Sequence, residues 1–173
     1  MKWFVLPAFA VLAAAASAQV TPTPFFATLP FLTHNFDTNA TGTYASLPVF
    51  FGIGTAQPIG PGQIGVKNDI SAFTAPNLLV GRSADVSISV LVPMRRFGGY
   101  FNSGFFGLFS NSVGFRFYDS SNNFIGSATA PLSTSMTWIG FTTTPKWQRV
   151  EITGAIPGVQ GIVGMDSLRI RPN

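Results

Sequence analysis

Seven side chains limit the acid–base chemistry this sequence can support: His34 and the carboxylates Asp37, Asp69, Asp85, Asp119, Glu151 and Asp166. Cys is absent, so no thiol nucleophile, disulfide or thiolate metal site exists. A nucleophilic triad needs a base beside an activated hydroxyl, and His34 is the single candidate base. No G-x-S-x-G accompanies it, and its neighbours read as the end of a strand. Glycoside cleavage needs two carboxyls flanking one sugar bond. Glu151 alternates with apolar residues beside Arg149, as on a solvent-facing strand surface. Asp119 opens the polar run Asp119-Ser120-Ser121-Asn122-Asn123, where an Asp bonds its own backbone. Asp85 starts a strand. No catalytic pair emerges, so the expectation is a protein that is not an enzyme, with a secreted glycoside-active hydrolase as the minority alternative.

Asp37 and Asp166 lie near the first and last strands, which sit close together in jelly-roll modules. Calcium takes carboxylate and carbonyl oxygens. These two residues with loop carbonyls are the expected metal ligands, and a structural calcium is the one cofactor in view; none is required. Gly60-Pro61-Gly62-Gln63-Ile64-Gly65 fits G-x-G-x-x-G, but a dinucleotide site needs a strand before it and a helix after it. Pro58 and Pro61 break the approach and no helical period follows, so the segment reads as a loop over 57–65.

Aromatic faces supply a different chemistry, stacking against sugar rings with polar groups at the rim. Tyr100 follows Gly98-Gly99, with Arg96 and Asn102 nearby. These three, with Trp138, are the expected ligand-binding residues, and Trp147 is expected in the core. The run 105–109 (FFGLF) reads as packed strand.

The elements that must position these groups follow from composition and periodicity. Residues 1–18 read as a signal peptide: a basic start, an apolar run and Ala16-Ser17-Ala18, with cleavage expected before Gln19. The expected location is therefore secreted, extracellular or cell-surface. No later stretch is long and apolar enough to span a membrane. Removing Lys2 takes the balance from 10 − 6 = +4 to 9 − 6 = +3. The basic residues are scattered, which argues against nucleic acid. Charged residues make up 9% of the chain, so Ser, Thr, Asn and Gly cover much of the surface. That composition also suits self-association.

Residues 19–30 form a Pro/Thr-rich lead-in, expected to be extended and poorly tied down. From residue 31 onward, short alternating or apolar runs recur between Gly, Pro, Asn and Ser clusters, the all-β pattern. Strands are expected at 85–92, 112–118, 124–130, 136–142, 148–153 and 165–171. Weaker ones are expected at 49–53, 77–81, 97–101 and 105–109. The fold class is all-β: a two-sheet antiparallel β-sandwich, jelly-roll-like, occupying 31–173 as a single domain.

Several stretches are similar to a family of exported bacterial β-sandwich proteins of the PEP-CTERM type. They are Phe36-Asp37, Ala75-Pro76-Asn77-Leu78, the strand–turn–strand GFRFYDSSNNFIG from Gly114, Trp147-Gln148-Arg149-Val150-Glu151-Ile152 and Met165-Asp166-Ser167-Leu168. The resemblance implies a lectin-like or galactose-binding-like jelly roll, with surface or matrix roles that are sometimes glycan-related and no known catalysis. The sequence lacks that family's C-terminal Pro-Glu-Pro motif, apolar helix and basic tail. The function expected is a non-enzymatic, exported cell-surface or matrix component that binds a polysaccharide or other cell-surface polymer. The alternative is a self-associating structural envelope or matrix protein.

Overall fold

A computed structural model of the chain describes residues 19–26, 31–68, 72–74, 77–82, 85–103, 112–154 and 163–173. The expected signal peptide and the run 105–109 lie outside the described residues. The elements are β1 (Gln19–Pro22), β2 (Leu32–His34), β3 (Gly42–Tyr44), β4 (Leu47–Val49), β5 (Gly54–Ile59), β6 (Gln63–Asn68), β7 (Asn77–Arg82), β8 (Asp85–Ser103), β9 (Ser112–Tyr118), β10 (Phe124–Pro131), β11 (Thr137–Gly154) and β12 (Val163–Arg171). A 3-10 turn, Phe50–Gly52, joins β4 to β5.

All pairings are antiparallel, in the order β10-β9-β11-β8-β12-β7-β6-β3, with β1 on β11, β2 on β12, and β5 joining β4 to β8. Two long strands carry the chain across both layers of the sandwich. The first half of β8 pairs with β5 and its second half with β12. The first half of β11 pairs with β1 and its second half with β9. One layer is therefore β1, the start of β11, the end of β8, β12, β7, β6 and β3, with β2 also on β12. The other is β4, β5, the start of β8, the end of β11, β9 and β10.

Aromatic side chains fill the space between the layers. On β9, Val113, Phe115 and Phe117 point inward and are wholly buried. Phe115 and Phe117 meet Phe97 and Phe101 of β8 and Phe141 of β11, with ring centroids 4.9–6.3 Å apart. Trp147 is wholly buried against Phe97 and Phe117, as expected. With no disulfide available, this close-packed apolar interior is the main stabilising term.

Five expectations change, the first being that the strand expected at 49–53 is replaced by the 3-10 turn Phe50–Gly52 between β4 and β5. The strands expected at 85–92 and 97–101 are one strand, β8, and those at 136–142 and 148–153 are one strand, β11. The expected 57–65 loop is mostly strand: β5 runs to Ile59 in one layer and β6 starts at Gln63 in the other, joined by a tight turn at Gly60-Pro61-Gly62 in which Gly60 takes φ +76°. Pro58 is tolerated because β4 pairs only with residues 54–56, leaving that edge of β5 without a ladder partner. The lead-in is held, not loose: β1 pairs with residues 141–144 of β11, and Phe26 is buried.

Candidate functional site

The four residues expected to bind a ligand fall on one face of one layer. Phe97 and Phe101 of β8 point into the core, so the pleat turns Arg96, Gly98, Tyr100 and Asn102 to the other side. Register then places neighbours beside them. Tyr100 stands between Trp138 of β11 and Asp166 of β12. Gly98 stands between Gly140 and Arg169, and Arg96 between Thr142 and Arg171. Asn102 is opposite Gly164 at the end of the face; it is buried, and its Nδ2 donates to the Thr134 carbonyl at 3.5 Å.

Trp138 lies down on this face because two glycines leave room for it. A Cβ on Gly98 would meet the indole Cζ2 at 2.5 Å, and one on Gly140 would meet it at 2.9 Å. The indole Nε1 donates to the Thr23 carbonyl at 3.3 Å, and Thr23 N donates to the Gly140 carbonyl. Phe25 and Phe26 pack edge-on against the indole at 5.0 and 5.4 Å. The segment after β1 thus fixes the rotamer of Trp138 and adds rings of its own.

Next to Trp138, Tyr100 stacks on Phe73 with centroids 3.5 Å apart and planes 7° from parallel. Phe73 is 50% exposed and Phe25 is 43% exposed. Together with half-buried Tyr100 and Trp138 they form a continuous aromatic shelf. The Arg169 guanidinium lies over the faces of Phe25 and Phe31 at 4.3 and 4.7 Å and donates to the Phe26 carbonyl at 2.9 Å. At the edge of the shelf a groove of about 330 Å³ runs between β1, β10 and β11, lined by Pro22, Thr23, Pro131, Trp138 and Phe141 among others.

Asp166, on the same face, is wholly buried. Its carboxylate accepts from Thr74 N at 2.6 Å, from the Thr74 hydroxyl at 3.1–3.2 Å and from Ser167 N at 2.5 Å. Burial raises its pKa above the ordinary carboxylate value, the Thr74 and Ser167 hydrogen bonds oppose that shift, and the charge of Asp37 adds to it. Asp37 accepts from Asn35 Nδ2 at 2.7 Å and from Asn77 N at 3.3 Å. Asn77 Oδ1 is buried and has no partner among the described residues. The connection from β6 to β7 therefore ties the two carboxylates together, through Thr74 on one and Asn77 on the other.

His34, Glu151 and Asp119 have structural partners. His34 ends β2, as expected; its Nδ1 accepts from Phe50 N at 3.2 Å, and its Nε2 lies 3.0 Å from Asn39 Oδ1. Glu151 is paired with Arg149 and accepts from the Tyr118 hydroxyl at 2.8 Å. Asp119 accepts from Ser121 N and Asn123 N at 2.9 and 2.8 Å, the self-capped turn the sequence predicts. Among the described residues no group of three or more His, Cys, Asp or Glu could hold a metal ion, and no helix is long and apolar enough to cross a membrane.

Sequence reasoning missed Phe25, Phe73, Arg169 and Arg171. The first two lie in segments with no strand pattern of their own. The two arginines alternate with Leu168 and Ile170 and so were visible as outward residues, but nothing local says that β12 lies beside β8.

Comparison with known proteins supports this architecture. The K2 cleaved adhesin domain of Lys-gingipain superposes with a TM-score of 0.55 at 11% identity, over 82% of this chain and 99% of that domain. A DUF4465 family protein from Bacteroides caccae superposes at 0.57 and 12% identity, over 84% and 100%. The K1 cleaved adhesin domain of Lys-gingipain from Porphyromonas gingivalis gives 0.51 at 13%, over 83% and 99%. The chain thus shares the β-sandwich fold of these domains and covers each nearly end to end. No protein-family model and no curated protein matches it in sequence.

Proposed function

We propose that this protein is an exported, non-enzymatic β-sandwich that holds a polysaccharide on the outer face of the layer built from β11, β8 and β12. The aromatic shelf carries the reading: half-exposed Phe73, stacked on Tyr100, and half-exposed Phe25, beside Trp138, bring aromatic surface to solvent over the sheet. Sugar rings present an apolar face of C–H groups that suits such a platform, and strand-borne Tyr100 and Trp138 back the loop-borne Phe73 and Phe25. Catalysis has no comparable support. The two carboxylates near enough to influence each other's charge, Asp37 and Asp166, include one that is wholly buried.

Export, a cell-surface or matrix location and kinship with PEP-CTERM-type proteins belong to the same proposal. They rest on the signal-peptide pattern and the motifs quoted above. The adhesion role named for the gingipain domains agrees with a binding function of this class. Structural calcium is a further part of it: Asp37, Asp166 and the unpartnered Asn77 Oδ1 are hard oxygen donors gathered by one connection. A second reading, self-association, is favoured by a different surface. Phe51, Leu91 and Val92 are 88%, 74% and 52% exposed, and Leu91 N bonds the Ile53 carbonyl beside the Phe50–Gly52 turn.

Polysaccharide pull-down and affinity electrophoresis with the mature chain test the main reading. Retention by at least one polymer, lost in a Tyr100→Ala, Phe73→Ala double variant of unchanged melting temperature, is expected. No retention by any neutral or acidic polymer would remove it. Light scattering on the same sample tests the second: a monomer at high concentration rules it out.

A further inference from the structure

We infer that the polymer is acidic, a polysaccharide of uronic-acid type, and that Arg96 and Arg171, with Arg169 behind them, read its carboxylates. This deepens the proposed polysaccharide binding and rests on it. Arg96 of β8 and Arg171 of β12 are direct cross-strand partners on the shelf's face, and Arg169 lies two residues from Arg171 on the same side. Like charges placed directly opposite in a sheet destabilise it, so this pair has no structural rationale of its own.

Among the described residues no carboxylate neutralises it. The ion pairs formed among the described residues involve Glu151 with Arg116 and Arg149, on the other layer. The one carboxylate in these rows, Asp166, is buried and engaged by Thr74 and Ser167. Most telling, the Nε–H groups of Arg96, Arg169 and Arg171 are all buried and all lack a hydrogen-bond partner among the described residues. Buried donors are normally satisfied. A ligand does not reach those Nε atoms, but they mark a face short of acceptors, and the terminal Nη groups of Arg96 and Arg171, which are not among the buried unpartnered atoms, are the donors left to meet a ligand carboxylate.

The chemistry selects the class. A guanidinium offers parallel N–H donors in a planar fork that a carboxylate meets with two bonds. The backbone positions of the three arginines are about 5–8 Å apart, from strand spacing and the two-residue repeat, comparable with the step from one sugar to the next. They adjoin Trp138 and Tyr100 through the Gly98–Gly140 row. A uronic-acid chain could therefore stack its rings on the aromatics and turn its carboxylates to the arginines. Arg169 is held against Phe25 and Phe31, which leaves Arg96 and Arg171 as the residues to vary.

The test compares polygalacturonate with the same polymer after carboxyl reduction, by affinity electrophoresis and titration calorimetry at two salt concentrations. Dextran sulfate serves as a generic polyanion. Expected are tighter binding of the carboxylated polymer, a steep loss with salt, and a weakening of about tenfold or more for Arg96→Gln and for Arg171→Gln. Neither variant should lower the melting temperature, because each removes a like-charge contact. Equal binding of native and reduced polymer overturns the arginine assignment and leaves the aromatic shelf standing. Dextran sulfate binding as tightly as polygalacturonate reduces the face to charge attraction and also overturns it. Arginine variants that weaken both polymers alike have a structural role, which overturns it as well. Failure of every polymer removes the underlying polysaccharide reading itself.

Discussion

Gly98→Ala is the sharpest perturbation of the shelf, because its sign depends on a single neighbour. The new Cβ would lie 2.5 Å from Cζ2 and 2.7 Å from Cη2 of Trp138, and 3.1 Å from the Gly140 Cα. The indole has little freedom to retreat, since Phe25 and Phe26 pack against it and Thr23 holds its Nε1. Overpacking of this kind costs about 1–3 kcal/mol. Replacing Gly by Ala within a strand returns about 0.5–1 kcal/mol through lost unfolded-state freedom. Gly98 is not in the left-handed region, so backbone strain adds nothing. The net is a loss of up to about 2.5 kcal/mol, centred on about 1, seen as a fall of up to roughly 10 °C in melting temperature. In a Trp138→Ala background the obstruction is gone. The tight approach to Gly140 trims the remaining gain, so Gly98→Ala becomes neutral or slightly stabilising. Urea unfolding of the four proteins, followed by far-ultraviolet circular dichroism, closes the cycle with a coupling of about 1–3 kcal/mol. An equal cost for Gly98→Ala in both backgrounds would refute the idea that glycine room, rather than strand geometry, seats the indole.

Three further expectations can be checked with the same material. His34 is packed against Phe36 and Phe50, and burial lowers its pKa from 6.5, opposed by the hydrogen bond to Asn39. The unfolded chain therefore takes up this proton first on acidification. Stability from neutral His34 is complete above pH 6.5 and declines as pH falls through that value toward the lower folded pKa; unfolding free energies of His34→Gln should show a flatter slope there. If calcium binds at Asp37 and Asp166 with an extracellular-type dissociation constant of about 0.1–1 mM, 10 mM calcium adds roughly 1.4–2.7 kcal/mol. Asp37→Asn should remove that gain, and a melting temperature indifferent to calcium would end the metal proposal. Thr74→Val takes a hydroxyl donor from the buried Asp166 and should cost about 1–3 kcal/mol in chemical denaturation; a neutral effect would show that the Thr74 and Ser167 backbone donors suffice.

Local pattern carried far in this chain, and its failures share a cause. The strand at 112–118 could be read to the residue because Val113, Phe115 and Phe117 alternate with polar or small neighbours in a strand that stays in one layer. The two long strands each look like two elements because each changes layer along its length. Leu91 and Val92 are both exposed at that point in β8, and Thr144-Pro145 interrupt the matching stretch of β11. Alternation restarts beyond the crossing, so one element looks like two. The site divided in the same way. Arg96, Tyr100 and Asn102 are spaced for one strand face and could be grouped from the sequence. Trp138, Arg169 and Arg171 join them only through register with β11 and β12, and Phe25 and Phe73 only through loops folded onto the sheet. Short-range periodicity contains none of that information.

The places where the chain departs from local rules therefore say more than the places where it obeys them. Gly98 and Gly140 sit in strand interiors, where glycine weakens a sheet. Arg96 faces Arg171. Ser167 takes φ +47° at the bulge where β12 shifts register against β8. Asp166 is a buried carboxylate with a raised pKa. Each departure costs stability by itself, and all lie on the outer face of one layer, around one aromatic shelf. Folding alone would favour an apolar or charge-balanced arrangement in every case. Sequences keep such conflicts where function requires them, and each one here serves that face. The glycines admit the indole, the bulge turns Arg169 and Arg171 to the surface, and the Asp166 carboxylate anchors the connection that carries Phe73 onto Tyr100.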